Sequence, residues 1–260
     1  MLNQKVEEKW KWILIPMFII FEVVIDDFVM QRIYRLFLNP TEHFLLYINI
    51  YKIISIIVIC LLNYWIIQQK VFFKPGERKR WWVSFLIVCL IIVAFCIPNQ
   101  NFWAALDIGL LAGVSEELMF RGIVLGFLLK LMINKSDSRW RVMLCLTISS
   151  LLFGGFHYVN LSMQSFSGTT YQVINAAAFG MILGALYIKS GTLLVPMALH
   201  FISDFLFAII GGLPKSNYTP VQNSEWIGLV VSVLIYLVIA LIIVNYKPSD
   251  NKILTKLKNL

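Results

Sequence analysis

Apolar residues along this chain neither alternate, as in strands, nor form narrow stripes, as on soluble helices. They come in long unbroken runs, separated by charges, prolines or short polar clusters, and a bilayer-spanning helix needs about 20 such residues. Runs of that kind predict spans at 12–31, 44–67, 81–97, 103–129, 140–158, 172–188, 193–211 and 226–245. The expected fold is therefore all-α, a polytopic membrane protein of about eight transmembrane helices. The polar connections are short and no internal repeat or low-complexity segment is visible, so residues 1–260 read as a single integral membrane domain.

Composition agrees with the pattern: of 260 residues, 59% are hydrophobic and 14% charged, with a mean hydropathy of +0.79. A soluble domain is roughly 45–50% apolar and about 25% charged. The net charge of +8 would suit nucleic acid in a soluble protein, but in a membrane protein basic residues mark cytoplasmic loops. With the N-terminus inside, the non-cytoplasmic loops receive only Arg32, Arg35 and Lys215. Lys52 and Arg121 fall within spans, and every other Lys and Arg is cytoplasmic. The reading is a multi-pass protein of the cell membrane with both termini cytoplasmic and no nucleic-acid partner. Lys5, Lys9 and Lys11 precede an apolar stretch, but Glu22, Asp26 and Asp27 interrupt it and no small-residue cleavage site follows, so that stretch is expected to be retained.

Cys60, Cys89, Cys96 and Cys145 show no metal or redox spacing and read as buried thiols. Gly109/Gly113, Gly122/Gly126 and Gly180/Gly184 recur at the four-residue spacing that lets membrane helices approach closely. His43 sits at a span boundary among loop residues and is expected to be incidental. The three acids of the first span are expected to mark a poorly inserted helix.

Charges deep inside spans are a different matter, because each costs about 2.5–3.5 kcal/mol at a helix centre. The fourth span carries Ser115-Glu116-Glu117-Leu118-Met119-Phe120-Arg121. Glu117 and Arg121 share a helix face at i,i+4 and are expected to form a structural ion pair. Glu116 is turned about 100° away from Glu117, which leaves it available for chemistry. His157 lies within the fifth span, and His200 and Asp204 lie at i,i+4 within the seventh, where a carboxylate can orient an imidazole or join it in holding a metal. No phosphate loop, nucleophile elbow or His-Glu-x-x-His is present. Hydrolysis by an activated water suits these residues best.

The ordered trio Glu116-Glu117-…-Arg121, Phe153-…-His157 and His200-…-Asp204 resembles the signatures of the CAAX protease and bacteriocin-processing (Abi) family of intramembrane glutamate-type proteases, which includes the type II CAAX prenyl endopeptidase. The resemblance covers residues 103–211 and implies a catalytic core in helices 4 to 7. It implies Glu116 as the general base, with His157 beside it, and His200 and Asp204 as the groups that orient substrate and stabilise the oxyanion. The last position departs from the family's Asn form, and an ionised Asp has no proton to donate. Asp204 must therefore be protonated, act through His200, or bind metal. Glu116, His157, His200 and Asp204 are also the candidate ligands if zinc is used, and a metal-free mechanism suits the same set.

The function this implies is an intramembrane endopeptidase acting on a peptide or membrane-anchored polypeptide, in bacterial peptide or bacteriocin processing or in self-immunity. Two other classes compete. An ion- or proton-coupled transporter would use the same buried charges as a relay, although paired inverted halves and matched interrupted helices are absent. A non-catalytic membrane scaffold or immunity protein would have less use for intact signatures.

Overall fold

The computed structural model describes residues 12–25, 29, 31–37, 44–74, 80–133, 138–212, 216–244 and 251–259. Lys5, Lys9, Lys11, Asp26, Asp27, His43 and Lys215 lie outside the described residues. The described chain is all-α apart from an isolated bridge between Gln164 and Asn217.

In chain order the helices are α1 (Leu14–Val23), α2 (Gln31–Phe37), α3 (Phe44–Leu62), α4 (Arg80–Phe95), α5 (Phe102–Glu117), α6 (Gly126–Ile133), α7 (Arg139–Phe156), α8 (Phe166–Ser190), α9 (Leu194–Gly211), α10 (Asn223–Ile243) and α11 (Lys252–Lys258). Among the described residues, five helical stretches are long and apolar enough to cross a membrane: Leu45–Ile67, Arg139–Ser162, Phe166–Ser190, Leu194–Gly211 and Asn223–Ile243. Large apolar side chains along α10, such as Ile227, Val230, Leu234 and Ile242, are exposed, the surface a helix presents to lipid rather than to water. The protein is an integral membrane protein.

Several spans differ from their sequence limits for local reasons. In the first, α1 ends at Val23 and passes into π-helical backbone at Val24 and Ile25, and a separate α-helix begins at Gln31. The fourth does not stop at 129: α5 passes through a π-helical segment, Leu118–Leu125, and continues as α6 to Ile133. The sixth starts six residues earlier than 172 because the Ser165 side chain caps it, accepting from the Gly168 N–H. It ends where Gly191 takes a left-handed conformation, φ +66°. Beyond the predicted spans lies α11, which buries Ile253, Leu254 and Leu257 against the bundle. The Lys256 ammonium holds it there by donating to the backbone carbonyls of Lys74 (2.5 Å) and Gly191 (2.6 Å).

Two close crossings position the site, and glycine makes both possible. Where α5 meets α9, a Cβ at Gly109 would lie 2.8 Å from the Phe201 carbonyl oxygen, and one at Gly113 would lie 3.0 Å from the Phe201 nitrogen. Where α7 meets α8, a Cβ at Gly154 would lie 2.5 Å from the Val173 carbonyl oxygen. Of the pairs singled out by spacing, Gly109/Gly113 makes a backbone crossing. Gly180 and Gly184 instead face side chains, Arg121 and Leu146 among them.

Candidate active site

At the α5–α9 crossing the last two residues of α5 are both glutamates. Glu117 is fully buried, and its Oε1 accepts two hydrogen bonds, from Arg121 Nη1 at 2.7 Å and from His200 Nδ1 at 2.8 Å. The ion pair expected from spacing is present, and the structure adds a third member from another helix. Arg121 is also buried, with its guanidinium carbon 4.1 Å from the centre of the Phe153 ring, an arrangement in which the ring face meets a desolvated cation. Gly180 makes room for it: a Cβ there would lie 2.9 Å from Arg121 Nη2.

His200 joins the two glutamates. An imidazole carries nitrogens on two edges, so one ring can serve two carboxylates. Its Nδ1–H is spent on Glu117, while Nε2 lies 3.9 Å from Glu116 Oε2 and 3.5 Å from Asp204 Oδ2. The ring is buried and flanked edge-to-face by Phe153 and Phe179, with centroids at 5.8 and 6.0 Å. Asp204 is the most open member of this group, its side chain one-third exposed.

Glu116 has a different environment from its neighbour. Its side chain is 14% exposed, and Oε1 lies 3.4 Å from the ammonium of Lys52 on α3. Lys52 is the neighbour of Glu116 that sequence reasoning does not single out. The signal was available, because the cost of a charge within hydrocarbon that singled out Glu116 applies equally to a lysine in the middle of 44–67. One helical turn earlier on α3, Asn49 Nδ2 donates to Asp107 Oδ2 of α5 at 2.8 Å, so α3 and α5 are tied by two polar contacts.

His157 lies just past the end of α7. Its Nδ1 is 2.9 Å from the Phe153 carbonyl oxygen, an acceptor, so Nδ1 carries the proton and Nε2 is left with a lone pair in the neutral ring. The Phe153 ring lies between the two histidines, 5.0 Å from His157 and 5.8 Å from His200. Glu116 is within coulombic reach of Lys52, His200 and His157 together. The structure thus brings Glu116, His200 and Asp204 into one group, with His157 at its edge and Glu117 and Arg121 beneath it.

As a metal centre the arrangement does not fit. Among the described residues no group of three or more His, Cys, Asp or Glu side chains is disposed to hold a metal ion. Of the four candidate ligands, Glu116 and Asp204 face the His200 ring, His157 is held to the side by the Phe153 carbonyl, and Lys52 already places a cation against Glu116.

Chemically the site combines a partly open carboxylate, an imidazole oriented by a buried carboxylate, and an adjacent ammonium. That set can take a proton from water and stabilise the negative charge that results. Comparison with curated proteins and with solved structures gives no match. Residues 79–206 match the family model described as type II CAAX prenyl endopeptidase Rce1-like, a segment that contains all three motifs. That match supports placing residues 79–206, and the motifs they carry, with the CAAX proteases as an Rce1-like domain.

Proposed function

We propose that the protein is an intramembrane endopeptidase in which Glu116 activates the attacking water. The observation that carries this reading is the contrast between two adjacent glutamates. Glu117 is fully buried and held by Arg121 and His200, whereas Glu116 is partly open and faces Lys52 and the His200 ring. A carboxylate held by buried partners serves structure; one at an opening can accept a proton.

In the reaction a water between Glu116 and the substrate loses a proton to the Glu116 carboxylate as its oxygen bonds to the scissile carbonyl carbon. The carbonyl π pair moves onto oxygen. When the tetrahedral intermediate collapses, that pair returns, the C–N bond breaks and the departing nitrogen takes the proton held by Glu116. His200, fixed through Nδ1 by Glu117, keeps its Nε2 edge toward Glu116 and Asp204. His157 Nε2 offers a hydrogen-bond acceptor at the edge of the same site.

The substrate class is a prenylated or otherwise membrane-anchored peptide, which the family description and the site's place among apolar helices both favour. Processing of a bacterial peptide, or self-immunity, is the physiological setting we assign, on the strength of the motif resemblance. The loop lysines and arginines favour cytoplasmic termini. The test is a comparison of peptides in membranes from cells expressing the wild type or Glu116→Gln, read by mass spectrometry. Product peptides present with the wild type and missing with the variant are expected. Identical peptide profiles at equal protein levels would refute the reading.

A further inference from the structure

We infer that Lys52, which lies outside the segment matched to the family, is a catalytic residue whose ammonium stabilises the oxyanion formed beside Glu116. This rests on the peptidase reading above and adds to it the group that balances charge in the transition state.

Hydrolysis creates a negative oxygen next to the water that Glu116 activates, and that oxygen needs a positioned donor or cation. Arg121 is fully buried and committed to Glu117 and the Phe153 ring. His200 spends Nδ1 on Glu117 and turns Nε2 toward two carboxylates. His157 gives its Nδ1 proton to the Phe153 carbonyl, so its neutral ring offers a lone pair. Asp204 in its ionised form has nothing to donate. Lys52 remains: its ammonium carries three protons, lies 3.4 Å from Glu116 and 6.0 Å from the centre of the Tyr51 ring, and sits on a side chain 18% exposed beside that opening.

The flow of charge then gives Lys52 a differential role. In the resting site the ammonium faces the Glu116 carboxylate. As water's proton reaches Glu116, that carboxylate becomes neutral and the same unit of negative charge appears on the carbonyl oxygen. Net charge in the site is unchanged, and the ammonium beside Glu116 exchanges one negative partner for another. An interaction realised with the oxyanion raises kcat, whereas one made equally with bound substrate changes KM alone.

The test uses the full chain in lipid nanodiscs and an internally quenched farnesylated peptide ending in a CAAX sequence. Lys52→Met should lower kcat by about 100-fold, the loss that follows removal of one oxyanion donor, with KM within about threefold of the wild type. Lys52→Arg, which keeps the charge, should retain most of the activity, so a folding defect in Lys52→Met does not decide the matter. Asp204→Asn adds an amide donor next to the site, and in the Lys52→Met background it should recover part of the lost kcat. A purely structural lysine would show no such rescue. A kcat for Lys52→Met within about threefold of the wild type would overturn the assignment, and so would a change confined to KM, which would make Lys52 an anchor for a substrate carboxylate. Loss in Glu116→Gln with normal kcat in Lys52→Met would reject Lys52 alone. Normal cleavage by Glu116→Gln would reject the peptidase reading itself.

Discussion

Replacing Gly109 by alanine tests whether backbone approach between α5 and α9 is what seats His200 on Glu117. The new Cβ would lie 2.8 Å from the Phe201 carbonyl oxygen and 2.9 Å from a carbon of the Phe201 ring. Ordinary contact begins near 3.4 Å, so α9 must withdraw by about 0.6 Å at that point. The ring can rotate; the carbonyl, within a helix, cannot. His200 is the residue before Phe201, and a shift of that size carries its 2.8 Å hydrogen bond to Glu117 out toward about 3.4 Å, past useful hydrogen-bond length. Overpacking costs about 1–3 kcal/mol and a hydrogen bond to a charged group about 1.5–3 kcal/mol. These overlap, and a net destabilisation of about 2–4 kcal/mol is expected. Misplacing His200 by part of an ångström should also lower cleavage by between about 10- and 100-fold. The assay is thermal unfolding in detergent alongside cleavage of the quenched farnesylated peptide, with Gly228→Ala as control. A Cβ at Gly228 meets nothing within 4 Å, and alanine there should leave both readouts near the wild type or raise stability by up to about 1 kcal/mol. Wild-type unfolding and cleavage in Gly109→Ala would refute the reasoning.

Two further substitutions probe the rest of the site. Arg121→Met takes the counter-charge from the fully buried Glu117 carboxylate, leaving it the His200 hydrogen bond, and should cost about 3–5 kcal/mol, seen as a sharp fall in folded protein by size-exclusion chromatography; recovery equal to the wild type would contradict the buried-pair assignment. Asp204→Asn keeps the shape of a side chain one-third exposed and adds a donor, so cleavage should be preserved; a drop of more than about tenfold would show that the charge of Asp204 itself is required.

Much of this arrangement could be read along the chain because the membrane penalises charge so heavily. Glu116, His157 and His200 stand out in apolar runs, and the i,i+4 spacing of Glu117 and Arg121 gave a real ion pair. What periodicity does not carry is contact between helices. The turn of about 100° between Glu116 and Glu117 suggested that the two glutamates part company, yet both face His200, because the two edges of one ring reach both carboxylates. Lys52 meets Glu116 across 64 positions, a pairing that no local spacing encodes. The fourth span was expected to end at 129, but a π-helical segment carries it further. Such a segment inserts residues without changing polarity, so hydropathy cannot register it; π-bulges often accompany functional sites, and this one begins at the residue after Glu117.

The central claim, that the Glu116 carboxylate activates water, is tested most directly by single-turnover cleavage of the quenched farnesylated CAAX peptide in nanodiscs, wild type against Glu116→Gln. Gln fills the same space and can still meet Lys52 but cannot accept the proton. With folded protein matched by thermal unfolding, the account predicts a rate loss of about 1,000-fold, within the range for removing a general base. Cleavage by Glu116→Gln within about threefold of the wild-type rate would contradict it.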